Sequence, residues 1–80
     1  MTELRLLISN STHTSEVLFI EPWGGEFQLE AGSTLRVMVR AAAVPVLELE
    51  LRSEGHVLVV HDPPGATVAV YKNDLEIRGE

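Results

Sequence analysis

A chain of 80 residues allows one domain, expected to span 1–80, and such a domain buries only about 60% of the surface that its unfolded chain exposes. The sequence has no cysteine, which excludes a disulfide framework, a thiolate metal site and a cysteine nucleophile. Six basic residues against twelve acidic ones give a net charge of −6, which argues against nucleic acid as a partner. Because no signal-like or membrane-spanning apolar segment is visible, we expect a cytoplasmic protein without membrane association.

The alternation of apolar and polar residues predicts β-strands, and turn-forming residues divide the chain at short intervals. Eight strands are expected, near 3–9, 16–21, 26–29, 34–40, 46–52, 56–61, 67–72 and 75–78. Short strands separated by turns are typical of an all-β fold, which we interpret as a single small antiparallel β-sandwich.

The strands 3–9 and 16–21 are expected to pair through the polar loop between them. That loop begins with the glycosylation sequon Asn10-Ser11-Thr12. We interpret the sequon as a polar turn, because a glycan would require secretion.

Trp23 stands in the next turn, after Pro22 and before two glycines. A tryptophan in such a turn is expected to cover the open end of the sandwich. The alternatives are a contact with another subunit, or stacking on a sugar or peptide with Glu21 and Glu26 beside it.

The strands 34–40 and 46–52 are predicted to form a hairpin with Ala43 at its centre. This register places the branched aliphatic residues on one face and pairs opposite charges on the other. Leu49 is therefore expected to be buried and Glu50 to be exposed.

A turn at Glu54-Gly55 is expected to lead into strand 56–61, with Gly55 supplying a positive φ. That register sets His61 beside Glu48 on the outer face of the sheet. A further turn at Asn73-Asp74 should join the last two strands, because both residues tolerate the left-handed region.

Two apolar features lie where polar residues are normal, and they indicate contact with a protein partner or a second copy of the chain. The loop 41–46 lacks Gly, Asn and Asp, and two valines of strand 56–61 fall on the outer face. The candidate interface residues are Ala41, Ala42, Val44, Val57 and Val59. The alternative for the loop is that it folds back over the end of the sandwich.

No motif predicts catalysis or a bound cofactor. His13, His56 and His61 could bind a metal through nitrogen, but a regular strand puts the last two on opposite faces. We interpret them as three separate surface histidines and expect no metal site. Glu48 and Glu50 are interpreted as a solvated strand face, and we expect the protein not to be an enzyme.

Two segments carry recognisable turn motifs. Phe19 to Gly32 (FIEPWGGEFQLEAG) has a Glu-Pro-Trp-Gly turn between two strands, and Pro64 to Tyr71 (PGATVAVY) has a Pro-Gly turn ahead of the last hairpin. In both, the chain resembles short, uncharacterised bacterial proteins with a cupredoxin-like sandwich and no copper site. The resemblance implies a cupredoxin-like or immunoglobulin-like β-sandwich. The chain departs from that group at Asn73-Asp74, where a turn Gly is usual, and in the loop 41–46.

The sequence therefore predicts a non-catalytic β-sandwich module with a structural or protein-interaction role, in which the chain forms a homo-oligomer or binds a protein partner. The alternative is a small-ligand or carbohydrate-binding domain that uses Trp23.

Overall fold

Eight strands make up the fold of the computed structural model, which describes residues 2–61 and 65–79. They are β1 (Thr2–Ser9), β2 (Glu16–Glu21), β3 (Gly25–Leu29), β4 (Thr34–Ala41), β5 (Val46–Arg52), β6 (Gly55–His61), β7 (Thr67–Lys72) and β8 (Leu75–Ile77). All eight predicted strands are confirmed to within one residue at each end. In these two described ranges, no helix is long and apolar enough to cross a membrane.

The strands form two four-stranded sheets that enclose one core. The first sheet has the order β1-β4-β7-β8 and the second the order β3-β2-β6-β5. Strands β2 and β6 run parallel, so the expectation of a purely antiparallel sandwich is wrong. The parallel pair arises because the β2–β3 and β5–β6 hairpins join edge to edge through these two strands. Interior parallel strands are buried on both faces, which accounts for the continuous apolar run from Val57 to Val60.

The core is built almost entirely from aliphatic side chains that alternate along the strands. The first sheet contributes Leu35, Val37, Val39 and Val70, and the second contributes Leu18, Ile20, Phe27, Leu29, Leu58 and Val60. Leucines and an isoleucine on the inner face of β1 are half-buried against this cluster. The strand faces assigned from the period of two are therefore correct for β4 and β6.

Two predicted strand pairings are wrong, because β4 lies between β1 and β7 and not beside β5. Val37 pairs with Leu6 of β1 and with Val70 of β7. Both are apolar, as is Leu49, the partner that the sequence predicted. The chain after β4 crosses to the other sheet, and β1 likewise lies in the sheet that does not contain β2.

The β5–β6 hairpin forms, but its register is shifted by two residues. Arg52 pairs with Gly55, so the turn is Ser53-Glu54 and Gly55 is the first residue of β6. A Cβ at Gly55 would lie 2.9 Å from Cε2 of Phe19, so the glycine makes room for that ring. Gly55 has the positive φ that the sequence predicted, at 154°, but it adopts it as the first residue of β6 and not within the turn.

The β7–β8 hairpin matches its prediction in full. Asn73 and Asp74 adopt φ values of 52° and 62°, and Val70 pairs with Ile77. Two successive residues in the left-handed region match the right-handed twist of the strands that they join.

Asn10 organises the loop from β1 to β2 and is the one buried polar residue in the described ranges. Its Nδ2 donates hydrogen bonds of 2.8 Å to the carbonyl oxygens of Thr14 and Leu29. Its Oδ1 accepts from the backbone N–H and the hydroxyl of Thr12, at 2.9 and 2.6 Å. The interpretation of this segment as a polar turn is confirmed.

Candidate functional site

The inner face of β5 is exposed, although the sequence predicted a buried leucine there. Leu47 packs against the core, but Leu49 is 60% exposed and Leu51 is 72% exposed. Glu50, expected to be exposed, is half-buried. The topology contributes to this exposure, because β5 is the last strand of its sheet. Leu47 reaches the core cluster, whereas Leu49 and Leu51 do not.

An apolar cleft opens beside these leucines, between the edge strands of the two sheets. It has a volume of about 230 Å³. Its apolar lining comes from Ile8, Leu18, Leu29, Leu49 and Leu51, and its polar lining from residues 9–12, Glu16 and His56. Nδ1 of His56 is buried without a hydrogen-bond partner. The cleft is thus an opening in the core at one side of the sandwich.

The free side of β5 also carries backbone groups that pair with no other strand of the described residues. Arg52 and Gly55 flank a two-residue turn and therefore exchange hydrogen bonds with each other. Because bonding alternates along an antiparallel pair, the N–H and C=O groups of Leu47, Leu49 and Leu51 point away from β6. We call these three leucines, with their side chains and free backbone groups, the β5 edge.

The outer face of the same hairpin is acidic. Glu50 accepts two hydrogen bonds from Arg52, from Nε at 2.8 Å and from Nη2 at 3.1 Å, and this contact lowers the pKa of the Glu50 carboxyl. The pKa of Glu54 is lowered by a hydrogen bond from Ser53 and by its own backbone amide. Both carboxylates are therefore fully charged at neutral pH.

Glu48 completes this acidic row. Its Oε1 lies 2.7 Å from Nε2 of His61, which confirms that His61 is beside Glu48. Three carboxylates, at 48, 50 and 54, thus accompany one guanidinium, that of Arg52.

The candidate interface proposed for 41–46 and the outer valines is only partly available. Ala41 and Val57 are buried, at 2% and 0% exposure, and so cannot contact a partner. Val57 is covered because β6 lies inside its sheet, between β2 and β5. Ala42 and Val44 are exposed, and Val59 is half-buried. The loop folds back at Ala41 and Pro45 and leaves its middle in solvent.

Trp23 lies at the surface and does not close the core. Its side chain is 43% exposed and is not part of the core cluster. The turn that carries it is held by a hydrogen bond of 2.8 Å from the Gly24 amide to the Ile20 carbonyl. Glu21 and Glu26, the acids expected near it, are half-buried on the outer face of the second sheet.

The three histidines are separated, and one of them, His56, is half-buried. His13 is exposed in the first loop, His61 is exposed on the outer face, and His56 faces inward toward the cleft. The opposite orientations of His56 and His61 follow from strand alternation, as predicted. Within residues 2–61 and 65–79, no three metal-ligating side chains come together.

No family model, curated protein or solved structure matches the chain significantly. Of the segments that carry the sequence resemblance, Phe19 to Gly32 forms the β2–β3 hairpin and the turn after it. Pro64, which opens the second segment, lies outside the described residues, as do Asp62 and Pro63.

The sequence patterns of β5 and β6 differ in a way that distinguishes an edge strand from an interior strand, and our prediction did not use this difference. Strand β5 reads Leu-Glu-Leu-Glu-Leu from 47 to 51, whereas β6 reads Val-Leu-Val-Val from 57 to 60. Strict alternation is typical of a strand with one solvated face, and a continuous apolar run is typical of an interior strand. Charged residues on β5 therefore mark it as the edge strand.

Proposed function

We propose that this protein is a non-catalytic interaction module that binds a protein partner at the β5 edge and the adjoining cleft. The observation that carries the proposal is the exposure of Leu49 and Leu51 on the face of β5 that should be core. Large exposed aliphatic side chains next to an apolar cleft are typical of a surface that a partner covers. Unpaired backbone groups along the same edge provide donors and acceptors for that partner.

Leu75 offers a matched control for this proposal. It is 69% exposed, close to the 72% of Leu51, and it lies on β8, the edge of the other sheet. Both leucines are therefore exposed on an edge strand, but only Leu51 adjoins the cleft.

The test is site-specific photocrosslinking in the cells that produce the protein. A photoreactive phenylalanine analogue replaces Leu51 in one variant and Leu75 in another, and adducts are identified by mass spectrometry. We expect a discrete protein adduct from position 51 and none from position 75. No adduct at either position, or the same set of adducts at both, would contradict the proposal.

A second candidate function is carbohydrate binding at Trp23. It is favoured by one observation: the indole is partly exposed in a turn and is not used in the core. Since the chain has one tryptophan, a saccharide that stacks on it would shift or quench its fluorescence. A flat response across neutral and acidic saccharides would leave the indole without a carbohydrate-binding role.

We also propose that the chain is related to the cupredoxin-like bacterial proteins whose turns it resembles. The support is the pair of facing sheets and the formation of a β2–β3 hairpin around the Glu21-Pro22-Trp23-Gly24 turn. This relation would make the fold cupredoxin-like, and it adds nothing about the partner.

A further inference from the structure

We propose that the partner is an extended segment of another protein that adds to β5 as a further strand, with apolar residues at alternate positions and lysine or arginine between them. This inference rests on the proposed function and specifies the chemistry of the segment that the β5 edge receives.

The backbone of the β5 edge favours an extended partner over a helix or a small molecule. Leu47, Leu49 and Leu51 each present one N–H and one C=O on the free side of the strand, at a spacing that only another strand matches. Addition of a strand to such an edge uses main-chain hydrogen bonds for affinity and alternate side chains for selectivity.

The inner face determines one half of the partner's pattern. Residues directly opposite in a sheet share a face, so the partner residues opposite Leu49 and Leu51 point toward the cleft. Beside these leucines the cleft is lined by the buried side chains of Leu18 and Leu29, and its polar lining comes from residues 9–12 and Glu16. Apolar partner residues at these positions would cover the two exposed leucines and close the opening in the core.

The outer face determines the other half. The partner residues between the apolar ones lie beside Glu48, which contacts His61, and Glu50, which contacts Arg52. With Glu54 in the adjoining turn, three carboxylates accompany the single guanidinium of this hairpin. Opposite charges facing each other across strands stabilise the pair, and like charges destabilise it. Basic residues at these positions therefore match the acidic row.

The same charges argue against a second copy of this chain as the partner. An antiparallel copy that matches the leucines would place Leu49 opposite Leu49 and Leu47 opposite Leu51. That register also places Glu48 opposite Glu50 of the copy, twice across the two-fold axis. In this register, a self-contact through β5 thus brings four carboxylates together.

The test uses fluorescein-labelled seven-residue peptides and the full chain. The first peptide alternates lysine and valine, the second alternates glutamate and valine, and the third has the composition of the first with its valines in one block. Binding is measured by fluorescence anisotropy at physiological salt. We expect the alternating lysine peptide to bind about tenfold more tightly than either of the others.

Two pairs of variants separate strand addition from attraction to an acidic protein. Glu48→Lys should lose the preference for the lysine peptide, whereas Glu26→Lys, which changes the net charge equally on the far strand of the sheet, should keep it. Leu49→Pro removes a backbone N–H that faces the free side, while Leu49→Ala keeps it. The proline variant should therefore bind at least several-fold more weakly than the alanine variant.

The negative results of these experiments distinguish an error in the inferred peptide pattern from an error in the proposed function. If the block peptide binds as well as the alternating one, or if Glu26→Lys acts like Glu48→Lys, the inferred pattern is wrong. A partner crosslinked at position 51 would then still support the proposed function, whereas absence of any crosslink would overturn both. A concentration-dependent dimer that Leu49→Pro abolishes, seen by sedimentation, would overturn the inference by identifying a second copy as the occupant.

Discussion

Replacement of two leucines that face each other across one hairpin measures how open the sandwich is at β5. Leu49 and Leu58 are cross-strand partners on the same face, but Leu49 is 60% exposed and Leu58 is 2% exposed. Leu58→Ala leaves a cavity in the core and should cost about 2–5 kcal/mol of unfolding free energy. Full burial of a leucine contributes roughly 1.5–3 kcal/mol, so the two fifths of Leu49 that are covered correspond to about 1 kcal/mol.

Urea denaturation followed by far-ultraviolet circular dichroism gives both free energies, and equal m-values would show that the comparison is valid. A difference of about 2 kcal/mol corresponds to roughly 8–16 °C in Tm for a domain of this size. If Leu49→Ala destabilised the protein as much as Leu58→Ala, β5 would be covered in solution. The cleft, and the proposals that depend on it, would then be wrong.

Asn10→Ala should cost about 2 kcal/mol, because the Leu29 carbonyl and the Thr12 amide lose the Asn10 side chain, while the Thr12 hydroxyl still donates to the Thr14 carbonyl. Chemical denaturation measures this loss. Gly55→Ala should cost about 1–3 kcal/mol in the same assay, since its Cβ meets the ring of Phe19. The pKa of Glu30 is lowered from 4.5 by the hydrogen bond and charge of Lys72, so this pair stabilises the fold above that pH and the stabilisation is lost as the pH falls through the lowered pKa. Lys72→Met should raise the pKa of the Glu30 carboxyl toward 4.5 in a carbon-13 titration. An unchanged pKa would show that Lys72 does not interact with Glu30.

Local patterns in the sequence determined the strands and the tight hairpins. The turn at Asn73-Asp74 fixed both its register and its φ values, because two residues that tolerate the left-handed region stand between two apolar strands. Strand ends were equally clear, since a proline, glycine or polar cluster follows almost every apolar run.

The strands that pair with β4 could not be predicted from local sequence patterns. A period of two states which face a residue occupies, but it does not state which strand lies beside it. Leu35, Val37 and Val39 match the leucines of β1 as well as those of β5, and the difference lies in the path of the loop after Ala41. We expected β4 to pair with the next strand along the chain, but the chain crosses to the other sheet.

The candidate site depended on this long-range choice. Had β5 paired with β4, Leu49 would have been covered on both sides, and no edge would have existed there. The contact between Glu48 and His61 was predictable, because both residues lie on the outer face and a two-residue shift in register keeps every side chain on its face. Exposure of the inner leucines was not predictable, because it follows from the order of the strands.

The glutamates of β5 have a consequence for colloidal behaviour. An unpaired strand with aliphatic residues on one face can template sheet growth from one molecule to the next, as in amyloid. At neutral pH, Glu48 and Glu50 act as gatekeepers, because fibril-like stacking of identical strands would align their charges in rows. Substitution of both glutamates by glutamine would remove the repulsion but leave the leucines in place. That double variant should therefore aggregate more readily than the parent protein at neutral pH, while its core stays folded.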